Sequence, residues 1–584
     1  MSVVMEAREP SAKYLSALQP PLVQHFELMA TAPGGVARLR ELILTLAVQG
    51  KLVPQDPSAE PASELLRKIR TEKDRLIAEG KIKRDRPLLP IEEEGQPFTL
   101  PSGWKWVRLG TLLPFRIGKT PPSKDPQYWS DEGCAWVSIS DMTHFGEVFD
   151  TDRKITAKGA SVFGYEPLPV GTLIMSFKLT IGKIATLQVP AYHNEAIVSF
   201  LPLAGLQPEF LKYVLPTVSK TGASKDALMG ATLNTESLSN LLIALPPEAE
   251  QPRIVTRVEE LMRLCDALEA QGQLEAAQHA QLVQTLLGAL TASATQDELA
   301  DNWQRVATHF DRLLDRPEAI DALEKTILQL AVRGLLVPQD PKDEPASELL
   351  KTIRAEKDRL IAEGKIKQDK PLANIEVEEE PFEVPGSWEW VRLGEVVSIS
   401  SGVTLGRKAA LPAPTSYPYL RVANVQRWHL NLDSMKEVVI DRAELERFQL
   451  VRGDLLITEG GDWDKVGRTT IWRDELPVCL HQNHVFKARG MSPGWNPVWA
   501  ELYLNSTFAR AYFASSAKQT TNLASINMTQ LKGCCFPVPP LAEQARIVAR
   551  VASLRRLCAD LRQRLAARQT TQAHLAEALI DEVA

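Results

Sequence analysis

Late in each half of the chain, apolar residues recur at alternating steps of four and three. Ile254, Val258, Leu261, Cys265 and Leu268 follow Pro246-Pro247; Ile547, Val551, Leu554, Cys558 and Leu561, extended by Leu565, follow Pro539-Pro540. This is a heptad seam, and the paired prolines punctuate a helix start. Each helix is expected to run about 40 residues, roughly 60 Å. Two seams in one chain predict that they pair with each other as a coiled coil. Residues 62–83 and 346–367 also read as helices, with Pro61 and Pro345 at their starts and Ser63 and Ser347 as expected caps. Residues 171–187 and 453–472 alternate branched residues with glycine, the pattern of strands. Residues 208–218 and 497–517 read as short helices.

These elements come in pairs because the chain repeats itself. Leu46-Ala47-Val48-Gln49-Gly50 returns as Leu330-Ala331-Val332-Arg333-Gly334, and Val53-Pro54-Gln55-Asp56-Pro57 as Val337-Pro338-Gln339-Asp340-Pro341. The run from Glu72 to Lys83 returns unchanged from Glu356 to Lys367, and Trp106–Gly110 as Trp390–Gly394, all at an offset of 284. Pro246-Pro247-Glu248-Ala249-Glu250-Gln251 matches Pro539-Pro540-Leu541-Ala542-Glu543-Gln544 at an offset of 293. Between these echoes only a faint frame survives. Trp136–Asp141 parallels Tyr419–Asn424, Gly171-Thr172-Leu173-Ile174 parallels Gly453-Asp454-Leu455-Leu456, Ile181-Gly182-Lys183 parallels Val466-Gly467-Arg468, and His193-Asn194 sits where His481-Gln482-Asn483 sits. A near-identical scaffold thus carries two strand-rich inserts of similar frame and different surface.

Length and composition fit several packed domains: 584 residues, 44% hydrophobic and 24% charged. No apolar run approaches the roughly 20 residues of a membrane span, and the N-terminal residues, with Glu6, Arg8, Glu9 and Lys13, lack the apolar core of a secretory signal. The expected location is the cytoplasm. The six cysteines form no C-x-x-C pair and read as reduced thiols that mostly fill cores. The net charge of −6 argues against a generic polyanion binder, but 103–245 carries 13 Lys/Arg against 12 Asp/Glu and 387–541 carries 17 against 14. Contact with a polyanion would therefore come from local patches in the two inserts.

Ile117-Gly118-Lys119-Thr120 looks like the end of a phosphate-binding loop, but Leu113 stands where that loop needs glycine. Asn496-Pro497-Val498-Trp499 is similar to an adenine-methyltransferase motif without its second proline, and no Gly-rich cofactor loop accompanies it. Pro497 reads as the first residue of a helix. No catalytic set and no metal-ligand cluster is found. The positive chemistry is basic and amide-rich: Lys119, Ser123, Lys124, Asp141, Lys178, Lys183 and Asn194 in the first insert; Arg407, Lys408, Arg421, Asn424, Lys465, Arg468, Gln482 and Asn483 in the second, interleaved with Trp428 and Trp463. Arg, Asn and Gln pair bidentately with base edges, and Lys and Arg neutralise phosphates. For any single one of them a structural or solvated role is as good a reading. Gly182 and Gly460-Gly461 are expected in turns with positive φ.

The arrangement resembles the specificity subunits of type I restriction–modification systems, over roughly residues 36–580. The run from Leu100 to Gly110, varied from Val384 to Gly394, is similar to the family's lead-in to a target recognition domain. Gly118–Pro122 with Tyr128-Trp129 looks like one domain subtype; Gly453–Leu456 with Gly460-Gly461-Asp462 and His481–His484 looks like another. The resemblance implies an α+β (mixed α/β) fold: two target recognition domains separated by two long antiparallel coiled-coil helices, with an internal pseudo-two-fold repeat. It implies a non-catalytic reader of double-stranded DNA with an asymmetric bipartite target, which directs adenine methylation and restriction by partners. Those partners are two methyltransferase (modification) subunits and motor-endonuclease (restriction) subunits. No cofactor or metal is expected on this chain; S-adenosylmethionine belongs to the methyltransferase subunits. The alternatives are a coiled-coil scaffold protein and a stand-alone DNA methyltransferase. The expected domains are an extension (1–35), scaffold helices (36–99), a first recognition domain (100–245), a central helix (246–292), a linker with the second scaffold copy (293–383), a second recognition domain (384–541) and a C-terminal helix (542–584).

Overall fold

The computed structural model describes residues 29–82, 88, 90–178, 180–201, 203–221, 235–293, 295–406, 412–461, 465–520 and 523–583. Most of the expected N-terminal extension, Arg407, Lys408 and Trp463 lie outside them. The chain divides into two compact units, one formed by the residues up to Leu274 with those from Gln569 onward, the other by Glu275–Arg568. Among the described residues no helix is long and apolar enough to cross a membrane.

In the first unit, α1 (Gly35–Val48) and α2 (Ala62–Ala78) precede ten strands: β1 (Lys105–Arg108), β2 (Phe115–Ile117), β3 (Trp129–Ser130), β4 (Cys134–Val137), β5 (Gly146–Val148), β6 (Lys154–Ile155), β7 (Leu173–Ser176), β8 (Ile184–Leu187), β9 (Ala191–His193) and β10 (Ile197–Phe200). Then come α3 (Pro208–Thr221), β11 (Leu242–Leu245) and the long α4 (Gln251–Ala292). β1 and β11 close an antiparallel pair, with Trp106 opposite Ala244. The strands between them form a five-stranded sheet in the order β2-β10-β7-β8-β5 and a four-stranded sheet in the order β3-β6-β4-β9.

The second unit repeats the plan: α5 (Pro317–Val332), α6 (Ala346–Ala362), β12 (Glu389–Arg392), β13 (Val397–Ser401), β14 (Pro414–Leu420), β15 (Lys436–Asp441), β16 (Leu455–Thr458), β17 (Gly460–Gly461), β18 (Thr469–Ile471), β19 (Leu480–His481) and β20 (Val485–Gly490). Next are α7 (Pro497–Leu504), α8 (Thr507–Ser516), β21 (Lys518–Thr520), β22 (Leu523–Ser525), β23 (Cys535–Val538) and α9 (Leu541–Val583). β12 pairs antiparallel with β23, and the inner sheet runs β13-β20-β16-β18. Two smaller sheets run β15-β14-β19 and β17-β22-β21.

Several local expectations change. The helices α2 and α6 end at Ala78 and Ala362, short of the predicted bounds, where the amides of Lys81 and Lys365 turn back to the carbonyls of Leu76 and Leu360 at 2.9 Å. Their caps are Pro61 and Pro345 rather than Ser63 and Ser347. No side-chain cap is needed, because the amides of Ala62 and Ala346 donate to the carbonyls of Gly103 (2.8 Å) and Ser387 (3.0 Å). Gly182 has φ 83° and Gly461 φ 155° as expected, but Gly460-Gly461 form a short strand opposite Ser525 and Ala524 rather than a turn. The second predicted short helix is two, α7 and α8, divided where Ser506 caps α8 through the amide of Ala509. Asn496 accepts from the amides of Val498 and Trp499, so Asn496-Pro497 is a helix start. All six cysteines are free thiols and five are buried.

The two heptad seams are buried, each in the core of its own unit. Ile254, Val258, Leu261 and Cys265 lie in the first unit's core with Leu39, Leu42, Ile43 and Leu46 of α1; Leu268 packs on it, as do Leu579 and Ile580 from the end of α9. Ile547, Val551 and Cys558 lie in the second unit's core with Val283, Leu287 and Leu290 from the end of α4; Leu554, Leu561 and Leu565 pack on it. Within its own unit each seam covers the scaffold helix of its own half and receives the far end of the other long helix. Period alone does not distinguish these partners, since a scaffold helix and a second seam present the same apolar stripe.

The repeated motifs converge on one buried carboxylate per unit. Glu250 accepts from Gln55 Nε2 (2.9 Å) and from the indole of Trp104 (3.0 Å); Glu543 accepts from Gln339 Nε2 (2.5 Å) and Trp388 (2.9 Å). The glutamates are 3% and 0% exposed, and burial raises both carboxyls above the usual carboxylate range. The same glutamines donate to the carbonyls of Gly50 and Gly334. Both glycines have positive φ, 72° and 73°, and a Cβ there would meet Pro101 Cγ at 2.6 Å or Pro385 Cγ at 2.7 Å.

A second shared feature is a buried histidine. β4 runs parallel to β9 with Val137 opposite His193, and β14 runs parallel to β19 with Leu420 opposite His481. Gly118 and Gly402 lie against these histidines so closely that a Cβ at either would be 1.9 Å from the histidine's carbonyl oxygen. Both imidazoles are fully buried, and burial pulls both down to about 4. Among the described residues neither Nε2 has a hydrogen-bond partner.

Two outcomes are expected. Glu543→Ala leaves the buried indole N–H of Trp388 and one N–H of the Gln339 amide without their acceptor and costs about 2–4 kcal/mol; hydrogen exchange should show that loss in the second unit, and Glu250→Ala should show it in the first. The histidines bind protons more readily unfolded than folded. Their contribution to stability is therefore complete above pH 6.5 and lost as pH falls from 6.5 towards 4, by up to about 1.4 kcal/mol per pH unit for each. Urea unfolding of His193→Asn and His481→Asn across this range should show a shallower pH dependence than the parent chain.

Candidate nucleic-acid interface

In each unit three connections between strands meet. In the first these are residues 138–145 after β4, 177–183 between β7 and β8, and 194–196 between β9 and β10. The amide of Asn194 donates to Val137 O (3.0 Å), that of Phe177 to Ala196 O (3.0 Å), and Lys183 Nζ to Ile139 O (3.0 Å), tying all three together. The segment after β2 joins them through the Lys119 amide and His193 O (3.0 Å). In the second unit the same connections are 421–430, the hairpin from β16 to β18, and 482–484. The amide of Gln482 donates to Leu420 O (2.8 Å), that of Glu459 to His484 O (3.0 Å), and the Arg468 guanidinium to Gln426 Oε1.

The hairpins are built alike. Ser176 and Thr458, each the last residue of its strand and each fully buried, accept the amides of Lys183 (3.2 Å) and Arg468 (3.0 Å). Glu459 meets Nδ1 of the exposed His484 at 2.6 Å. Sequence reasoning missed all three. The hydroxyl shared by Ser176 and Thr458 at one frame position was a usable signal; for Glu459 there was none, since its partner is 25 residues away.

The expected residues divide by what they do. Lys119, Ser123 and Lys124 are exposed, and Lys119 Nζ also donates to Val162 O (2.9 Å). Lys178 is half-buried, its Nζ 5.5 Å from the Phe177 ring centre. Lys183, Asn194, Lys465, Arg468, Gln482 and Asn483 are half-buried on the clustered connections. Asn194 Oδ1 accepts the Ala196 amide (3.0 Å). Arg421 reaches back to Ser434 O (2.7 Å).

Asp141 and Asn424 also serve the fold. Asp141 accepts from the Ser138 amide and hydroxyl and from the Asp152 amide. Asn424, 1% exposed, accepts the Arg421 amide and donates to Asn431 O. Each closes the turn after its strand.

The sequence pattern described as "Type I restriction modification DNA specificity domain" matches the chain twice, over residues 101–278 and 385–568. The chain is 36% identical to the type I restriction enzyme EcoAI specificity subunit of Escherichia coli and 34% identical to the EcoEI specificity subunit of the same organism; each alignment covers 94% of this chain and 93% of the relative. A solved structure described as the structural basis of complex assembly and conformational transition of the type I R–M system aligns with 83% of this chain and 99% of its own, at 19% identity and a TM-score of 0.47. A chain that carries the specificity domain twice and follows two specificity subunits along almost their whole length belongs to the type I restriction enzyme specificity subunits.

Proposed function

We propose that the chain reads an asymmetric, bipartite DNA target, one half-site per recognition domain, and directs adenine methylation and restriction by partner subunits without catalysing either. The observation that carries this reading is the frame built twice. Equivalent strands, hairpins and backbone bonds hold three connections together in each unit, while the side chains on them differ: Lys183, Asn194 and Lys119 in one, Arg468, Gln482 and Asn483 in the other. A constant frame with a variable surface suits two readers that dock alike on a duplex and contact different base edges. The repeated scaffold and its repeated carboxylate clasp suit two copies of one partner, taken to be the methyltransferase subunit, which would bring S-adenosylmethionine; motor-endonuclease subunits would complete the restricting assembly. The long helices α4 and α9 serve in this reading as the antiparallel spacer that sets the number of unread base pairs. Arg407 and Lys408, outside the described residues, stay among the proposed contacts with Lys119, Ser123, Lys124, Lys178, Lys183, Asn194, Arg421, Lys465, Arg468, Gln482 and Asn483.

The test is binding of the complex to duplexes altered in one half-site or the other. Arg468→Ala and Asn483→Ala should cost about 1–3 kcal/mol on the half-site read by the second domain and leave the first unchanged. Equal weakening on every sequence would make them phosphate contacts, and no sequence-dependent binding by the parent complex would overturn the reading.

A further inference from the structure

Among the described residues three that are not glycine have positive φ: Phe145 (60°), Trp428 (71°) and Asp474 (66°). Asp474 is exposed, and aspartate tolerates this conformation. The two aromatics are outliers for bulky side chains, and they occupy one frame position. The Phe145 amide donates to Ile184 O at 2.8 Å and the Trp428 amide to Thr469 O at 3.3 Å. Ile184 and Thr469 are the first residues of β8 and β18, opposite Met175 and Ile457 of β7 and β16, and each directly follows the basic residue, Lys183 or Arg468, at the base of its hairpin. The same strained residue is thus set at the same joint in both recognition domains, between the connection after the first parallel strand and the hairpin.

Each ring is held by a helix of its own unit. Phe145 packs 5.5 Å from the Tyr213 ring of α3. Trp428 lies beneath the guanidinium of Arg555 of α9, 3.8 Å from the ring centre. Asn505, 5% exposed, fixes the far side of the second joint: its NH2 donates to Thr469 O (2.8 Å) and its Oδ1 accepts from Arg427 (3.2 Å). Backbone strain persists only where the surroundings over-determine it, and it concentrates where geometry serves a function.

We infer that Phe145 and Trp428 are positioning residues for DNA reading: each pins its domain's first connection to its hairpin, so that residues on both present a fixed pattern to one half-site. This rests on the proposed reading of these connections as the DNA surface. Neither aromatic contacts a base; it acts through Lys183 and Ile139 in one domain and through Arg468 and Gln426 in the other.

The test uses the complex with its methyltransferase subunits. Selection from a randomised duplex pool gives the parent preference, and affinities are then measured on duplexes altered in either half. Trp428→Ala should reduce discrimination at the second domain's half-site about tenfold, a fraction of a bidentate contact, and leave the other half-site and the melting temperature near the parent's. Phe145→Ala should do the converse, and Trp428→Phe should restore most of the loss. Arg555→Gln, which keeps the Trp428 backbone, should give a smaller loss on the same half-site and covers the case in which Trp428→Ala does not fold. Unchanged discrimination in Trp428→Ala and Arg555→Gln, or equal loss on both half-sites, would overturn the inference while leaving the DNA reading intact. A parent complex without half-site preference would overturn both.

Discussion

A carboxylate without contact to water must be given hydrogen-bond donors or its burial is costly, and this constraint organises each unit. Glu250 and Glu543 sit at the starts of the long helices and take their donors from segments far away in sequence: a glutamine just after the scaffold helix and the tryptophan that leads into the recognition domain. One buried acid thereby fixes three segments at once. The glutamine in turn holds the glycine that ends α1 or α5, and that glycine packs on the proline of the lead-in. The segments that recur in the sequence are the ones that meet here. The repetition of Val-Pro-Gln-Asp-Pro, of the lead-in and of Ala-Glu-Gln thus has one physical cause.

From that joint outward, the recognition domains keep backbone geometry and release side-chain identity. Parallel strands bring a buried histidine beside the first connection in both, a buried hydroxyl closes both hairpins, and a positive-φ aromatic links connection to hairpin in both. These features are made by backbone amides and by side chains that face inward, so what points outward is free to differ. A reader that changes its target while keeping its partners needs that separation.

Much of this was legible in the sequence. The offsets of 284 and 293 locate the duplicated scaffold, the frame parallels predicted the equivalence of His193 with His481 and of Lys183 with Arg468, and Pro497 was read as a helix start. These succeed because they rest on local rules: period, turn chemistry and repetition. The turn-closing bonds of Asp141 and Asn424 were not legible, because a turn-closing amide or acid and a base-reading one are the same residue type, and only the partners across the turn show the bond. Glu459 gave no local signal because its partner is distant in sequence, whereas the hydroxyl shared by Ser176 and Thr458 at one frame position was a signal not used.

The sequence by itself determined that there are two copies, where their helices and strands begin, and which residues are polar enough to read DNA. Tertiary structure decided what each apolar or polar group faces. The seams have coiled-coil spacing, yet each buries against the scaffold helix of its own half; periodicity records that a helix has an apolar side and leaves the occupant of that side to packing. Likewise, nothing local marks Trp428 as strained or Glu543 as buried, because backbone strain and burial are imposed by neighbours distant in the chain.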